Sequence, residues 1–68
     1  MAAYIIINRS KCDLHIVIPS PGRNDMHITL LEGRSINILP FAGTKEACRR
    51  ISQIRDYSER LLLEIIEE

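Results

Sequence analysis

Tryptophan is absent from this chain, and Tyr4, Tyr57 and Phe41 are its only aromatic residues. A surface that binds nucleic acid by stacking bases needs more rings than that. Cysteine is nearly as scarce, and Cys12 and Cys48 make no multi-bridge framework of the secreted kind. One bridge between them is conceivable, but two reduced thiols inside a cell fit the pattern better. No apolar run approaches the ~18 residues that span a bilayer. Met1-Ala2-Ala3 is uncharged and the run after it ends by Asn8, so no targeting peptide is expected. These absences predict a protein of the producing cell's cytoplasm, with no membrane partner.

What remains is aliphatic. The chain has 68 residues, 46% of them hydrophobic and 26% charged, which is the composition of one globular domain. A chain this short buries only about 60% of the surface that it exposes when unfolded. Scaffolds of this size usually supplement the core with disulfides, metals or subunit contacts. Formal net charge is zero, yet residues 1–55 hold eight Lys/Arg against four Asp/Glu, and residues 56–68 hold one against five. A neutral chain with opposite poles is a poor nucleic-acid binder by bulk charge and suits packing on a neighbour of mixed charge.

The first forty residues read as four short strands in a single domain, at about 4–8, 12–18, 26–31 and 35–39. Leu14, Ile16 and Ile18 alternate with polar or smaller residues, as do Met26, Ile28 and Leu30, and then Ile36 and Ile38. Pro19 to Asp25 is the clearest loop. Glu32-Gly33-Arg34 reads as a tight turn in which Gly33 supplies a positive φ, pairing strands three and four as a hairpin. Pro40 is expected to end the fourth strand.

Beyond Gly43 the period changes to that of a helix, expected over about 44–58. Thr44 is the candidate N-cap and Glu46 suits the first turn. Ala47, Ile51 and Ile54 form an apolar stripe with Cys48 beside it, and Glu46–Arg50 and Arg55–Glu59 are i,i+4 pairs on the exposed side. Residues 61–66 either lengthen that helix or return as a fifth strand. Five large aliphatics in six positions crowd both faces, which favours the strand, and a fifth strand also covers a sheet edge. The fold class predicted is α+β: a small antiparallel sheet, or a partly open barrel or sandwich, of four to five strands with one amphipathic helix.

Candidate chemistry is sparse. Cys12, His15, His27 and Cys48 are the best metal set, and Cys-x-x-His is a spacing that zinc sites use. On an extended strand, however, positions 12 and 15 face opposite ways, and Cys48 belongs to the core stripe. The expectation is core cysteines and surface histidines, with no metal or cofactor. A Cys12–Asp13–His15 nucleophile lacks the electropositive pocket that thiolate chemistry needs, so no catalytic residue is assigned. Pro21 to Asp25 has one glycine and leads into a strand, so it is no phosphate loop. Arg9, Lys11, Arg23 and Arg34 are the candidate partner-binding residues, lying on turns; Lys45, Arg49 and Arg50 complete the basic set. Translational regulators of the carbon storage family are similarly short, with strands followed by one helix, but none of their motifs occurs here.

Leu30-Leu31-Glu32-Gly33-Arg34-Ser35-Ile36-Asn37-Ile38-Leu39-Pro40 resembles a pattern in small β modules of tailed-phage particles. Asn8-Arg9-Ser10 matches the early turn of that pattern. Ser52-Gln53-Ile54-Arg55 falls in its helix, and Leu62-Leu63-Glu64-Ile65-Ile66 resembles its closing strand. Glu32 and Arg60 stand where the pattern has proline and glycine. The resemblance implies a minor virion protein, such as a capsid decoration or a head or tail accessory, found in the virion as well as the cell. Together with the thin core, it predicts a non-enzymatic interaction module that forms homo-oligomers or docks on capsid or other assembly subunits. The alternatives are a small nucleic-acid-binding regulator and an inhibitor that occludes a partner enzyme.

Overall fold

The computed structural model describes residues 2–68. Five strands and three short helices follow in the order β1 (Tyr4–Asn8), β2 (Leu14–Ile18), β3 (Met26–Leu30), β4 (Ser35–Asn37), α1 (Leu39–Ala42), α2 (Lys45–Arg50), α3 (Ser52–Glu59) and β5 (Leu63–Glu67). The fold is α+β, but the strands form two antiparallel sheets, β4-β1-β5 and β2-β3, and do not close into a barrel.

The expected hairpin of strands three and four does not form. Gly33 does turn the chain, with φ +75°, but the turn carries it from one sheet to the other. Gly33 N–H donates to the Asn8 carbonyl, and Asn8 N–H donates to the Arg34 carbonyl, so the end of β1 captures the turn. β4 then pairs with β1, setting Ile36 opposite Ile6, while β3 pairs with β2 from Leu14↔Leu30 to Ile18↔Met26. The smaller sheet thus joins consecutive strands, whereas β4 pairs across the chain with β1, where Ile36 and Ile6 form a cross-strand aliphatic pair.

Several boundaries also move. The second strand spans 14–18 instead of 12–18, because Asn8 and Ser10 hold residues 9–13 as a turn. The third ends at Leu30 instead of residue 31. The fourth covers 35–37 instead of 35–39. Asn37 Oδ1 accepts the N–H groups of Tyr4 (3.0 Å) and Leu39 (3.1 Å), turning the chain into α1, where Pro40 sits in the first turn and needs no N–H.

The single expected helix over 44–58 is broken at Ile51, whose ψ of 111° is extended. Cys48 before the break, Ile51 at it and Ile54 after it all enter one core. Thr44 caps α2, its Oγ1 accepting the Ala47 N–H at 3.0 Å. The chain then leaves α3 through a Schellman motif. Leu62 N–H donates to the Tyr57 carbonyl (2.8 Å) and Leu61 N–H to that of Ser58 (3.0 Å), with Leu61 itself at φ 60°. Leu61 takes the backbone conformation usually left to glycine, and β5 starts at Leu63, two residues after the expected start of the last strand.

One core serves both sheets. Tyr4, Ile6 and Leu63 from the larger sheet meet Leu14, Ile16, Ile18 and Leu30 from the smaller, with Ile38, Ala42, Cys48, Ile51 and Ile54 closing it. The buried polar link between the sheets is Asn8, which is 1% exposed. Its Nδ2 donates to the carbonyls of Cys12 (2.8 Å) and Leu30 (2.9 Å), and its Oδ1 accepts from the N–H (2.9 Å) and Oγ (2.6 Å) of Ser10. All four bonds of the amide are made, as burial requires.

Candidate interaction surface

Both parities of β1 carry isoleucine, so the strand has apolar residues on each side. Tyr4, Ile6 and Asn8 point into the core and are buried; Ile5 and Ile7 point the other way and are half-buried. The register puts Ile66 beside Ile5, and Glu64 beside Ile7, on that second side. Ile66 is 40% exposed. The result is a short isoleucine row on the outside of the three-stranded sheet. Arg9 closes one end of it, its Nε donating to Glu64 Oε2 at 3.0 Å.

The strand edges around this face differ in how they are protected. Ala3 and Glu68 exchange both backbone bonds, so Ile5:Ile66 and Ile7:Glu64 are the bonded pairs of β1 and β5. The backbone groups of Leu63, Ile65 and Glu67 therefore point outward, where β5 has no neighbouring strand. At β2 the corresponding groups are met by α3. Gln53 Oε1 accepts the Val17 N–H at 2.6 Å, and the Tyr57 hydroxyl donates to the His15 carbonyl at 3.3 Å. Two helix residues four apart thus seal one edge.

The four basic residues singled out on turns do not converge. Arg9, Lys11 and Arg34 lie on the two turns tied to Asn8, at the Leu14↔Leu30 end of β2–β3. Arg23 lies in the loop at the opposite end, beyond Ile18↔Met26. All four are exposed. The end that gathers three of them also holds Glu64 and Asp13, the latter accepting the Glu32 N–H at 3.0 Å. It is a surface of mixed sign.

The charge poles of the sequence are partly cancelled within the fold. Arg9 pairs with Glu64, and Arg49 of α2 reaches Glu67 of β5 at 2.6 Å. Both pairs are well exposed, so each contributes ~1 kcal/mol or less.

The set Cys12, His15, His27 and Cys48 is divided. Cys12, expected in the core, is exposed on the turn before β2; Cys48 is fully buried in α2, and both are free thiols. Burial, above all, raises the Cys48 thiol pKa above its usual range, and the nearby Glu67 carboxylate adds to the shift. Tyr4 is likewise raised, first by burial and then by Glu67. His15 and His27 do meet, on the outer face of β2–β3. Among the described residues, no three His, Cys, Asp or Glu side chains gather into a metal site.

Beside Pro21 lies a shallow hollow of about 320 Å³, lined by Pro19, Ser20, Ala42, Ala47, Arg50 and Ile51. Its only charged residue is Arg50. No helix among the described residues is long and apolar enough to cross a membrane.

The isoleucine face and the two edge-sealing residues were missed in the sequence. The uninterrupted Ile5-Ile6-Ile7 was the available signal, since a strand with one wet side alternates. Gln53 and Tyr57 gave no such signal, because their role depends on where α3 crosses β2. Comparison of the chain with protein-family models, curated proteins and solved structures gives no match.

Proposed function

We propose that this chain is a non-enzymatic structural interaction module that docks on protein subunits of a larger assembly. The setting implied by the resemblance of Asn8-Arg9-Ser10 and of Leu30 to Pro40 to small phage modules is a virion, as a capsid decoration or a head or tail accessory. The observation that carries the reading is the outer face of β4-β1-β5, where Ile5 and Ile7 are half-buried, Ile66 is exposed and the adjoining β5 edge has no neighbouring strand. An apolar centre with a charged rim, here Arg9–Glu64, is the anatomy of a protein–protein interface. A partner strand laid along β5 would pair the outward groups of Leu63, Ile65 and Glu67 and extend the isoleucine face in one step.

A nucleic-acid partner has less support. Its phosphates need converging free cations, whereas Arg9, Arg49 and Arg50 each hold a carboxylate of the same chain, and Arg23 lies at the opposite end of the smaller sheet from Lys11 and Arg34.

The test combines two measurements. Sedimentation velocity of the purified chain is expected to show reversible self-association that Ile7→Lys abolishes without changing the far-ultraviolet circular dichroism. In extracts of the producing cell, the chain is expected to sediment with a large particle and Ile7→Lys to stay behind. A very stable, monodisperse monomer that sediments alone would refute the proposal.

A further inference from the structure

We propose that His15 and His27 form a two-nitrogen chelating site for a borderline divalent transition-metal ion, with Zn²⁺ and Cu²⁺ as the fitting chemistry. The site lies on the smaller sheet, away from the isoleucine face, and goes beyond the docking role. In the β2–β3 register, His15 stands opposite Thr29 and His27 opposite Val17, so the two histidines are diagonal neighbours on one exposed face. Such diagonals lie ~7–8 Å apart at the backbone, within reach of two imidazoles. Here the rings do meet: His15 Nε2 and His27 Nδ1 are 3.2 Å apart, the ring centroids 5.3 Å, and the planes are inclined by 34°.

That separation is the bite of a chelate. A tetrahedral ion with Zn–N bonds of ~2.0–2.1 Å sets two imidazole nitrogens about 3.3–3.4 Å apart. The nitrogen–nitrogen distance thus matches to a few tenths of an ångström, and rotation of the two exposed rings about their side-chain bonds turns both lone pairs toward the ion. Without metal, one facing nitrogen must carry a proton for the contact to be a hydrogen bond. On binding, that proton belongs on the far nitrogen of the same ring, leaving two neutral imidazoles with both lone pairs inward.

The strand that carries His15 is fixed along its free edge. Gln53 accepts the Val17 N–H and Tyr57 donates to the His15 carbonyl, so α3 holds β2 while the rings face solvent. A rigid backbone under two convergent ligands lowers the cost of ordering them. With no third His, Cys, Asp or Glu in reach among the described residues, water fills the remaining positions. Neutral nitrogen donors select Cu²⁺ and Zn²⁺ over Mg²⁺ and Ca²⁺, which take oxygen.

The exposed Cys12 is a competing soft ligand, so the test uses the full chain carrying Cys12→Ser. Calorimetric titration with Zn²⁺ or Cu²⁺ salts is expected to show one ion per chain, tighter for Cu²⁺, with none for Mg²⁺. His15→Gln and His27→Gln are each expected to weaken binding at least ~10-fold. Because both histidines are exposed, both variants are expected to melt with the parent. As a reading that needs no substitution at the site, nitrogen NMR of the Cys12→Ser chain should show the Zn²⁺-induced shifts at the His15 Nε2 and His27 Nδ1 positions. No binding by the Cys12→Ser chain, binding that survives both glutamine variants, or ring shifts absent from either histidine would overturn the assignment.

Discussion

Replacing Asn8 tests whether one buried amide joins the two sheets. Its carboxamide makes four hydrogen bonds, to the Cys12 and Leu30 carbonyls and to two groups of Ser10. Asn8→Ala removes all four. Ser10 Oγ keeps a second acceptor in the Cys12 carbonyl, at 2.8 Å, which softens the loss. Counting ~1 kcal/mol for each lost bond, with an added penalty where a buried group stays unpaired, the cost is about 3–5 kcal/mol. A domain of this length has a total stability of roughly 3–10 kcal/mol, so the variant stands at the edge of folding. Urea denaturation followed by circular dichroism gives the equilibrium value. In a domain this size a loss of ~3 kcal/mol lowers the melting temperature by about 12–24 °C. Asn8→Asp separates the hydrogen bonds from side-chain volume. It turns the donor end of the amide into an anionic oxygen facing two carbonyls, so the folded state disfavours the charged form. Its folded pKa then lies above the unfolded value of about 3.9. Stability is therefore fullest below that value and is lost as pH rises through the folded pKa. Acidification from neutral pH should raise the melting temperature of Asn8→Asp relative to the parent. A cost below ~1 kcal/mol for Asn8→Ala, or no relative gain for Asn8→Asp in acid, would refute the linking role.

Leu61→Gly should stabilise the chain by roughly 0.5–1 kcal/mol, since a left-handed non-glycine residue costs about 1–2 kcal/mol and glycine returns part of that as unfolded-state entropy; Leu61 is 83% exposed, so little packing is lost. A destabilised variant in urea titration would show that the Schellman turn is not strained. In the folded chain a thiol reagent should modify Cys12 quickly and Cys48 only on unfolding, read as one fast and one slow equivalent. The raised pKa values of Cys48 and Tyr4 make the stability they contribute complete below their unfolded pKa values and lost as pH rises through the folded ones. Melting temperature should accordingly fall in the alkaline range, and Cys48→Ala, though less stable at neutral pH, should fall less steeply.

Local signals placed the elements, and pairings between distant residues were where sequence reasoning failed. The alternation of Leu14, Ile16 and Ile18 marked β2, and Thr44 marked the start of α2, because each acts within a few residues. The turn at Gly33 was legible too, but not its destination, which depends on Asn8 lying 25 positions earlier. The break at Ile51 had no local sign, since no glycine or proline stands there and the apolar spacing of Ala47, Ile51 and Ile54 runs through it. Leu61 hid the last turn by standing where glycine is usual. Of the proposed site residues, Arg9, Lys11 and Arg34 share an end only because Asn8 gathers their turns, and Arg23 has nothing to bring it there. His15 and His27 were assigned to the polar side of their strands. Their meeting follows from a register that no single strand reveals.

The way the edges are treated explains why docking, and not the thinness of the core, is the stronger ground for the proposed role. A domain of five short strands in two open sheets starts with more than one free edge, and each is a liability in solution. Here α3 spends Gln53 and Tyr57 on sealing β2, and it stabilises the smaller sheet against slipping at the same time. Among the described residues, no helix side chain does the same for β5, although α3 leads straight into it. β5 instead carries Glu64 and Glu67, each held by an arginine of the same chain, Arg9 and Arg49. An edge without a neighbouring strand, beside half-buried Ile5 and Ile7 and exposed Ile66, suits the proposed partner that supplies a strand. Thinness alone would call for more core; the open β5 edge and the isoleucine row beside it are what the proposed docking partner, a second copy included, would cover.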